Sequence, residues 1–206
     1  RIQAPIPGMR AVGIEVANIK SASVTLRGVM TSDEWASSKH PLAFAVGKDL
    51  AGKTIVADLE DMPHLLIAGQ TKSGKSVMIN TLLASLLYKN TPSDLKLILV
   101  DPKHVEMAPY DDIPHLIAPV VTEPEKCISA LKWAVAEMDR RLKAFAVVKQ
   151  RDIQGYNKLK DQEGMPHIVI VIDELSELMM IAPRDVEAMI ARIAQKARAA
   201  GIHLVL

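Results

Sequence analysis

Two short strings carry most of the chemistry open to this chain. Gly69-Gln70-Thr71-Lys72-Ser73-Gly74-Lys75-Ser76 fits the spacing G-x-x-x-x-G-K-[ST]. In that pattern a curled backbone aims successive N–H groups inward at phosphate oxygens. A helix starting at the end of the octet adds roughly half an elementary charge at its N-terminus, and Lys75 adds a full ammonium. Ser76 offers a hard hydroxyl oxygen to a magnesium ion bridging terminal phosphates. The octet together with Val77 forms the expected nucleotide-binding set. Far downstream, the apolar run Ile168-Val169-Ile170-Val171-Ile172 ends in Asp173-Glu174. Cleaving a phosphoanhydride needs magnesium held in place and a water oriented for in-line attack. Asp173 therefore reads as the second holder of Mg2+, and Glu174 as the group that polarises the water. The competing reading of the acidic pair is N-capping of a following helix; the phosphate loop upstream favours the hydrolytic one.

These residues need a scaffold, and the apolar pattern supplies one. Leu65-Leu66-Ile67-Ala68 reads as a strand entering the octet, and Val77–Tyr88 as a largely buried helix leaving it. Strands at Leu95–Val100, His167–Ile172 and from Ile202 onward alternate with helices at Glu125–Val148 and Arg184–Ala200, the second ended by Gly201. Continuously apolar strands between helices predict an α/β fold with a mainly parallel sheet sandwiched by helices. Right-handed crossovers put the C-terminal strand ends on one edge, where such folds bind nucleotides. A hairpin is expected from Leu42–Val46 and Thr54–Ala57. Upstream, Val12–Val16 and Ser23–Arg27 alternate like short strands, and Thr31–His40 has room for a helical turn or two before Pro41. Residues 1–45 read as a small β-rich N-terminal remnant, and 46–206 as the core. The missing initiator Met and the stop inside Ile202–Leu206 suggest a piece of something larger, incomplete at its C-terminus.

Composition narrows the setting. Among 206 residues the net charge is only +1, so overall charge does not by itself point to nucleic acid or an anionic membrane. The lone cysteine, Cys127, excludes an intramolecular disulfide and reads as a small apolar residue on a helix. No run of apolar residues is long enough to span a bilayer, which predicts a soluble, cytoplasmic domain. Nucleotide kinases do without a water-activating carboxylate, and the guanine-reading string Asn-Lys-x-Asp is not completed by Asn157-Lys158-Leu159-Lys160. Hydrolysis of ATP coupled to mechanical work is the better expectation.

Several longer strings then carry a resemblance. Gly69–Ser76, Leu99-Val100-Asp101-Pro102-Lys103, Tyr110-Asp111-Asp112-Ile113-Pro114-His115-Leu116, Gly155-Tyr156-Asn157, Val171-Ile172-Asp173-Glu174-Leu175 and Ala197-Arg198-Ala199-Ala200-Gly201-Ile202-His203-Leu204 occur in order. From Ile6 to the end the chain resembles the motor domain of FtsK/SpoIIIE DNA translocases. That resemblance implies a RecA-like P-loop ATPase using ATP and Mg2+. It implies a homo-hexameric ring on double-stranded DNA, and a parent anchored in the bacterial inner membrane through an N-terminal region absent here. It also implies that the DNA-facing loops lie mostly beyond residue 206, so that the piece alone is weakly active. Arg198 matches the family's trans-acting arginine finger, which would reach the neighbouring subunit's nucleotide; a solvated helix face shared with Arg192 and Lys196 is its alternative.

Departures from the family pattern are few. Lys72 stands where glycine is usual, tolerable if the position does not demand positive φ, and reads as exposed or as an added phosphate contact. Gln70 replaces a small residue. His104-Val105-Glu106 replaces a more apolar string and Ser176 replaces alanine; both read as drift. Asp101 suits either a supporting role beside the loop or capping of the Pro102 turn. His64 reads as a packing or turn residue, the Arg140, Arg141 and Lys143 cluster as a wet helix face, and the methionines as core. Lys149, Arg151, Lys158 and Lys160 are the basic residues available for a DNA backbone. A nucleotide-driven assembly module remains a rival, as does a relative that moves protein or single-stranded DNA.

Overall fold

The computed structural model describes residues 2–4, 6, 8, 10–14, 16, 22–70 and 72–206. Strands β1 (Ile2–Gln3) and β2 (Gly13–Ile14) pair antiparallel near the N-terminus, the second inside the expected Val12–Val16 run. The alternation at Ser23–Arg27 does not make a strand. Thr25 caps helix α1 (Leu26–Met30), its side chain accepting from Gly28 N at 3.1 Å. A hydroxyl that satisfies a free first-turn N–H favours the helix, and Val29 then packs with Trp35 and Ala45. Helix α2 (Asp33–Ser37), capped by Ser32, fills the expected helical turn before Pro41.

Next comes the predicted hairpin, β3 (Ala43–Lys48) against β4 (Thr54–Asp58), with a register shift between Ala45 and Gly47. It leans on helix α3 (Lys75–Lys89), where Ser85 Oγ accepts from Ala45 N at 3.1 Å. Three strands, β5 (Leu95–Val100), β6 (His167–Ile172) and β7 (Ile202–Val205), form a parallel sheet in the order β5-β6-β7. Leu97 sits opposite Val169, and Ile170 opposite Leu204. The segment leading to the octet extends this sheet without becoming a regular strand. Leu65 N donates to Leu204 O at 2.9 Å, Leu206 N to Leu65 O at 2.9 Å, and Ile67 N to Leu206 O at 2.7 Å. Along the outer edge of β5, Leu116 and Val121 pair in parallel with Leu97 and Val100.

Alternation along the strands explains why both faces are apolar. Ile98, Val100, Ile168, Ile170, Ile172 and Leu204 face one core with helices α4 (Pro124–Val147), α6 (Leu175–Ile181) and α7 (Pro183–Ala200). Leu95, Leu97, Leu99, Val169, Val171 and Val205 face the other, with Leu82, Leu83 and Leu86 of α3 and with Phe44. Each such side chain contributes about 1.5–3 kcal/mol by leaving water, and burial on both sides is what a parallel sheet requires. Phe44 of β3 belongs to this second core, so the hairpin crosses residue 45 and is packed on the sheet.

Besides β1 and α1, three elements were not legible in the sequence: α6, the short α5 (Ile153–Asn157), and a 3-10 turn at Ala108–Tyr110. Two side-chain readings are corrected. Arg141 is not on a wet face: it is 2% exposed, and its Nη1 donates to Pro166 O at 2.8 Å and Ala200 O at 3.0 Å. Its aliphatic stem is buried while its guanidinium ties α4 to the end of α7. Met180 is 85% exposed rather than core, whereas Met107 and Met138 are fully buried. Cys127 is buried in α4, and burial pushes its thiol up to about 12. No helix of the described residues is long and apolar enough to cross a membrane.

Candidate nucleotide-binding site

The octet wraps the N-terminus of α3, and two glycines shape its path. Gly74, at the N-cap, has φ 100, in the left-handed region. A Cβ at Gly69 would meet Ser73 Oγ at 2.1 Å and Ser73 Cβ at 3.1 Å, so a larger residue there would require the Ser73 hydroxyl to rotate away. No side chain of the described residues caps α3, which leaves its first-turn N–H groups available to an anion. Lys72 also has positive φ, at 66. The condition under which lysine would be strain-free is therefore not met, and the residue carries roughly 1–2 kcal/mol of left-handed strain. Its side chain is exposed, as are Gln70, Ser73 and Val77, while Thr71 lies outside the described residues.

Facing the octet is the tip of β6. Asp173 N still donates to Val100 O at 3.0 Å, so the ladder fixes the backbone carrying both acids. Lys75 Nζ donates to Asp173 O at 2.7 Å and lies 3.2 Å from Asp173 Oδ1 and 3.6 Å from Glu174 Oε2. The two strings are thus brought together as expected. They line a cleft of about 660 Å³ with Gly69, Lys72 and Ser76, a size suited to a nucleotide.

Glu174 occupies the N-cap position of α6, yet its side chain makes no capping bond. Ser176 Oγ instead donates to Glu174 Oε1 at 2.7 Å. That hydroxyl, followed by the nearby charges of Lys75 and Lys103, holds the Glu174 carboxyl below its ordinary range. An ionised acid at a strand tip is what water polarisation needs. Ser176, read from the sequence as drift, thus touches the acid, and only its position two residues after Glu174 could have signalled the contact.

A second omission is Glu106. Ser76 Oγ donates to Glu106 Oε1 at 2.7 Å. Asp101, fully buried, accepts from the N–H groups of Val105, Glu106 and Met107 through Oδ2, each at 2.9 Å, and so shapes the loop that presents Glu106. Asp101 thus caps the turn that starts at Pro102, and through that turn it supports Glu106. The donor set suits magnesium, which prefers hard oxygens: Ser76 Oγ, with the buried Asp173 Oδ1, whose near neighbour is the Lys75 ammonium at 3.2 Å. These two residues would hold the ion, which supplies charge neutralisation for terminal phosphates.

Arg198 is not part of this cluster. It is exposed on the last turn of α7 and lines a separate cavity of about 730 Å³ with Arg151, Lys196, His167 and His203. His167 opens β6 and Asp173 follows its end, which sets the two sites roughly 20 Å apart along the strand. Lys149, Arg151, Lys158 and Lys160 are all exposed. His64 is a turn residue as expected, its Nδ1 accepting from Leu204 N at 3.0 Å.

Comparisons with known proteins agree with this architecture. The chain is 58% identical over 210 residues to the DNA translocase FtsK of Clostridium tetani, covering all of this chain and 28% of that protein. It is 54% identical over 210 residues to the DNA translocase SftA of Bacillus subtilis, again over its whole length and 22% of the relative. The chain thus spans about a quarter of the curated relatives it matches. Among solved structures, the pCW3 conjugation coupling protein TcpA with ATPγS superposes with a TM-score of 0.69 at 30% identity, covering 84% of this chain and 49% of that one. The cytoplasmic domain of the type VII secretion ATPase EccC from Thermomonospora curvata gives 0.70 at 27% identity, covering 81% and 21%. The fold is that of P-loop ATPase domains. The FtsK/SpoIIIE family model matches residues 25–206, and the chain belongs to that family.

Proposed function

We propose that this chain is the ATP-hydrolysing motor core of a double-stranded DNA translocase serving chromosome segregation in division or sporulation. The observation that carries the reading is Lys75 seated between the phosphate loop and the paired acids Asp173 and Glu174. Lys75 and the loop amides bind the phosphates of ATP. Ser76 and Asp173 hold magnesium, and Glu174 takes a proton from the attacking water as the bond to the terminal phosphoryl group breaks. Hydrolysis lies in residues 46–206, with 1–45 as an N-terminal extension. Arg198, too far from the chain's own cleft, acts on the nucleotide of a neighbouring copy in a hexameric ring. Duplex DNA is gripped mainly by parts beyond residue 206, which leaves this piece weakly active alone. A membrane-anchored N-terminal region places the parent at the bacterial inner membrane.

High identity to DNA translocases supports this over a protein or single-strand pump, although solved relatives include a secretion ATPase and a conjugation coupling protein. The test is ATP turnover by the full-length protein with and without DNA. Stimulation by duplex over single strand, weakened by salt and abolished by Glu174→Gln, is the expected result. Turnover indifferent to both DNA and Glu174 would leave only a nucleotide-dependent assembly module.

A further inference from the structure

Glu106 rests on the Ser76 hydroxyl, and no role given above for hydrolysis uses it. A serine hydroxyl has one proton and two lone pairs. With the proton given to Glu106 Oε1 at 2.7 Å, the lone pairs are what Ser76 can present to a cation. The rotor is fixed by a charge-assisted bond.

Glu106 is itself held. Its loop is cradled by the buried Asp101 carboxylate through three N–H bonds, and Asp101 N donates to Val121 O at 2.9 Å, on the edge strand pairing with β5. The same loop touches α3 a second time. Tyr110 Oη donates to Asn80 Oδ1 at 2.8 Å, and Asn80 Nδ2 donates to Ser76 O at 2.9 Å. Loop 101–110 therefore grips Ser76 twice, once at its hydroxyl and once, through Asn80, at its carbonyl.

We infer that Glu106 is a positioning residue for the magnesium site, acting through Ser76. It accepts the Ser76 proton, turns the oxygen lone pairs toward the cation, and adds negative charge beside the ion's holders. Outer partners of this kind orient metal ligands and raise their basicity. The inference rests on the magnesium–nucleotide reading above.

The test is ADP binding by calorimetry, in EDTA and across a Mg2+ series, for the unmodified protein, Glu106→Gln, Glu106→Ala, Ser76→Ala and the Ser76→Ala/Glu106→Ala double variant. The unmodified protein gains ADP affinity with Mg2+. Glu106→Ala keeps its affinity in EDTA but needs about tenfold more Mg2+ for half of that gain. Glu106→Gln, isosteric and still able to accept the Ser76 bond, falls between the two. It also serves if the alanine variant does not fold. In the Ser76→Ala background the alanine change adds nothing.

Unchanged Mg2+ midpoints in both Glu106 variants overturn the inference alone. Equal losses in EDTA and Mg2+ overturn it too, since they mark a merely structural role. So does an alanine effect that survives Ser76→Ala. An unmodified protein with no ADP binding overturns the nucleotide reading and the inference with it.

Discussion

The two ends of the parallel sheet carry opposite kinds of polar chemistry. At the C-terminal end, Lys75, Ser76, Asp173 and Glu174 converge on an open cleft, where Lys75 and Glu174 are only partly buried beside the buried Asp173. At the N-terminal end, the rings of His64 and His167 lie near that of His203, His167 pairs with Glu60, and Arg141 ties Pro166 to Ala200. His167 Nε2 lies 3.1 Å from Glu60 Oε1, and His203 Nδ1 faces Pro63 O at 2.8 Å. One end is built to exchange ligands, and the other to hold elements together. Arg198 lies at the second end, so the arginine-finger role proposed for it requires another copy of the chain.

The largest expected effects therefore separate the ends by chemistry. Glu174→Gln removes the water-polarising charge and should lower ATP turnover by about a thousandfold, within the range for general-base groups. Nucleotide binding, read by calorimetry, should persist. Arg198→Ala should lower turnover by a similar factor of roughly a thousand, as loss of an arginine finger does. Mixing the two variants sharpens the contrast. If Arg198 acts across copies, mixed assemblies contain sites with both groups intact and regain activity. Mixtures no more active than either variant would confine Arg198 to its own chain and remove the reason for a ring.

At the other end the losses should be in stability. Arg141 is buried, with Glu137 Oε1 accepting from its Nε at 2.8 Å. Arg141→Ala would leave the carbonyls of Pro166 and Ala200 without this donor and Glu137 with Arg140 alone, costing about 3 kcal/mol. Urea unfolding reads this directly, and a cost under about 1 kcal/mol would show the brace to be a surface pair.

His203 makes the same point through pH. Burial drops its imidazole from 6.5 to about 4. The folded chain keeps it neutral down to about pH 4, while the unfolded chain takes up a proton near 6.5. Unfolding thus binds a proton across that window, and stability falls as pH drops through it, by about 1.4 kcal/mol per unit. The total is about 3 kcal/mol. Glu60, held below its ordinary range chiefly by His167, loses its contribution only at lower pH still. His203→Gln should flatten the curve between pH 6.5 and 4, while leaving any pH dependence from Glu174 in place.

This contrast also explains what the sequence made legible. The nucleotide cleft was readable because its parts are consecutive: an octet with its two glycines, and two acids at the end of a five-residue apolar run. Strands β5 and β6 were readable to the residue because burial on both faces leaves only Lys96 and the opening His167 as polar positions. The N-terminal end was not, because Glu60, Arg141, His167 and His203 come from four separate segments and none has a local signature. Glu106 and Ser176 escaped for a related reason. Each acts through one hydroxyl–carboxylate bond, and a single polar residue in a loop carries no spacing to recognise. The irregular path at Leu65–Ile67 shows the limit from the other side: its apolar pattern reads as a strand, yet it meets β7 through an isolated bridge at Leu65 rather than as a regular strand.

The smallest expected effect tests how tightly the loop geometry is set. Lys72 adopts φ 66, a conformation that costs a non-glycine residue roughly 1–2 kcal/mol. Glycine would remove that strain but lose up to about 1 kcal/mol through the greater freedom of the unfolded chain. Lys72→Gly should therefore stabilise the protein by less than about 1 kcal/mol, seen as a small rise in the urea midpoint. Nucleotide affinity adds an independent axis. Were Lys72 only an exposed side chain, ADP binding in the glycine variant would match or slightly exceed the original. A clear fall in affinity, with stability unchanged or improved, would instead make Lys72 a second phosphate contact and extend the charged end of the sheet by one residue.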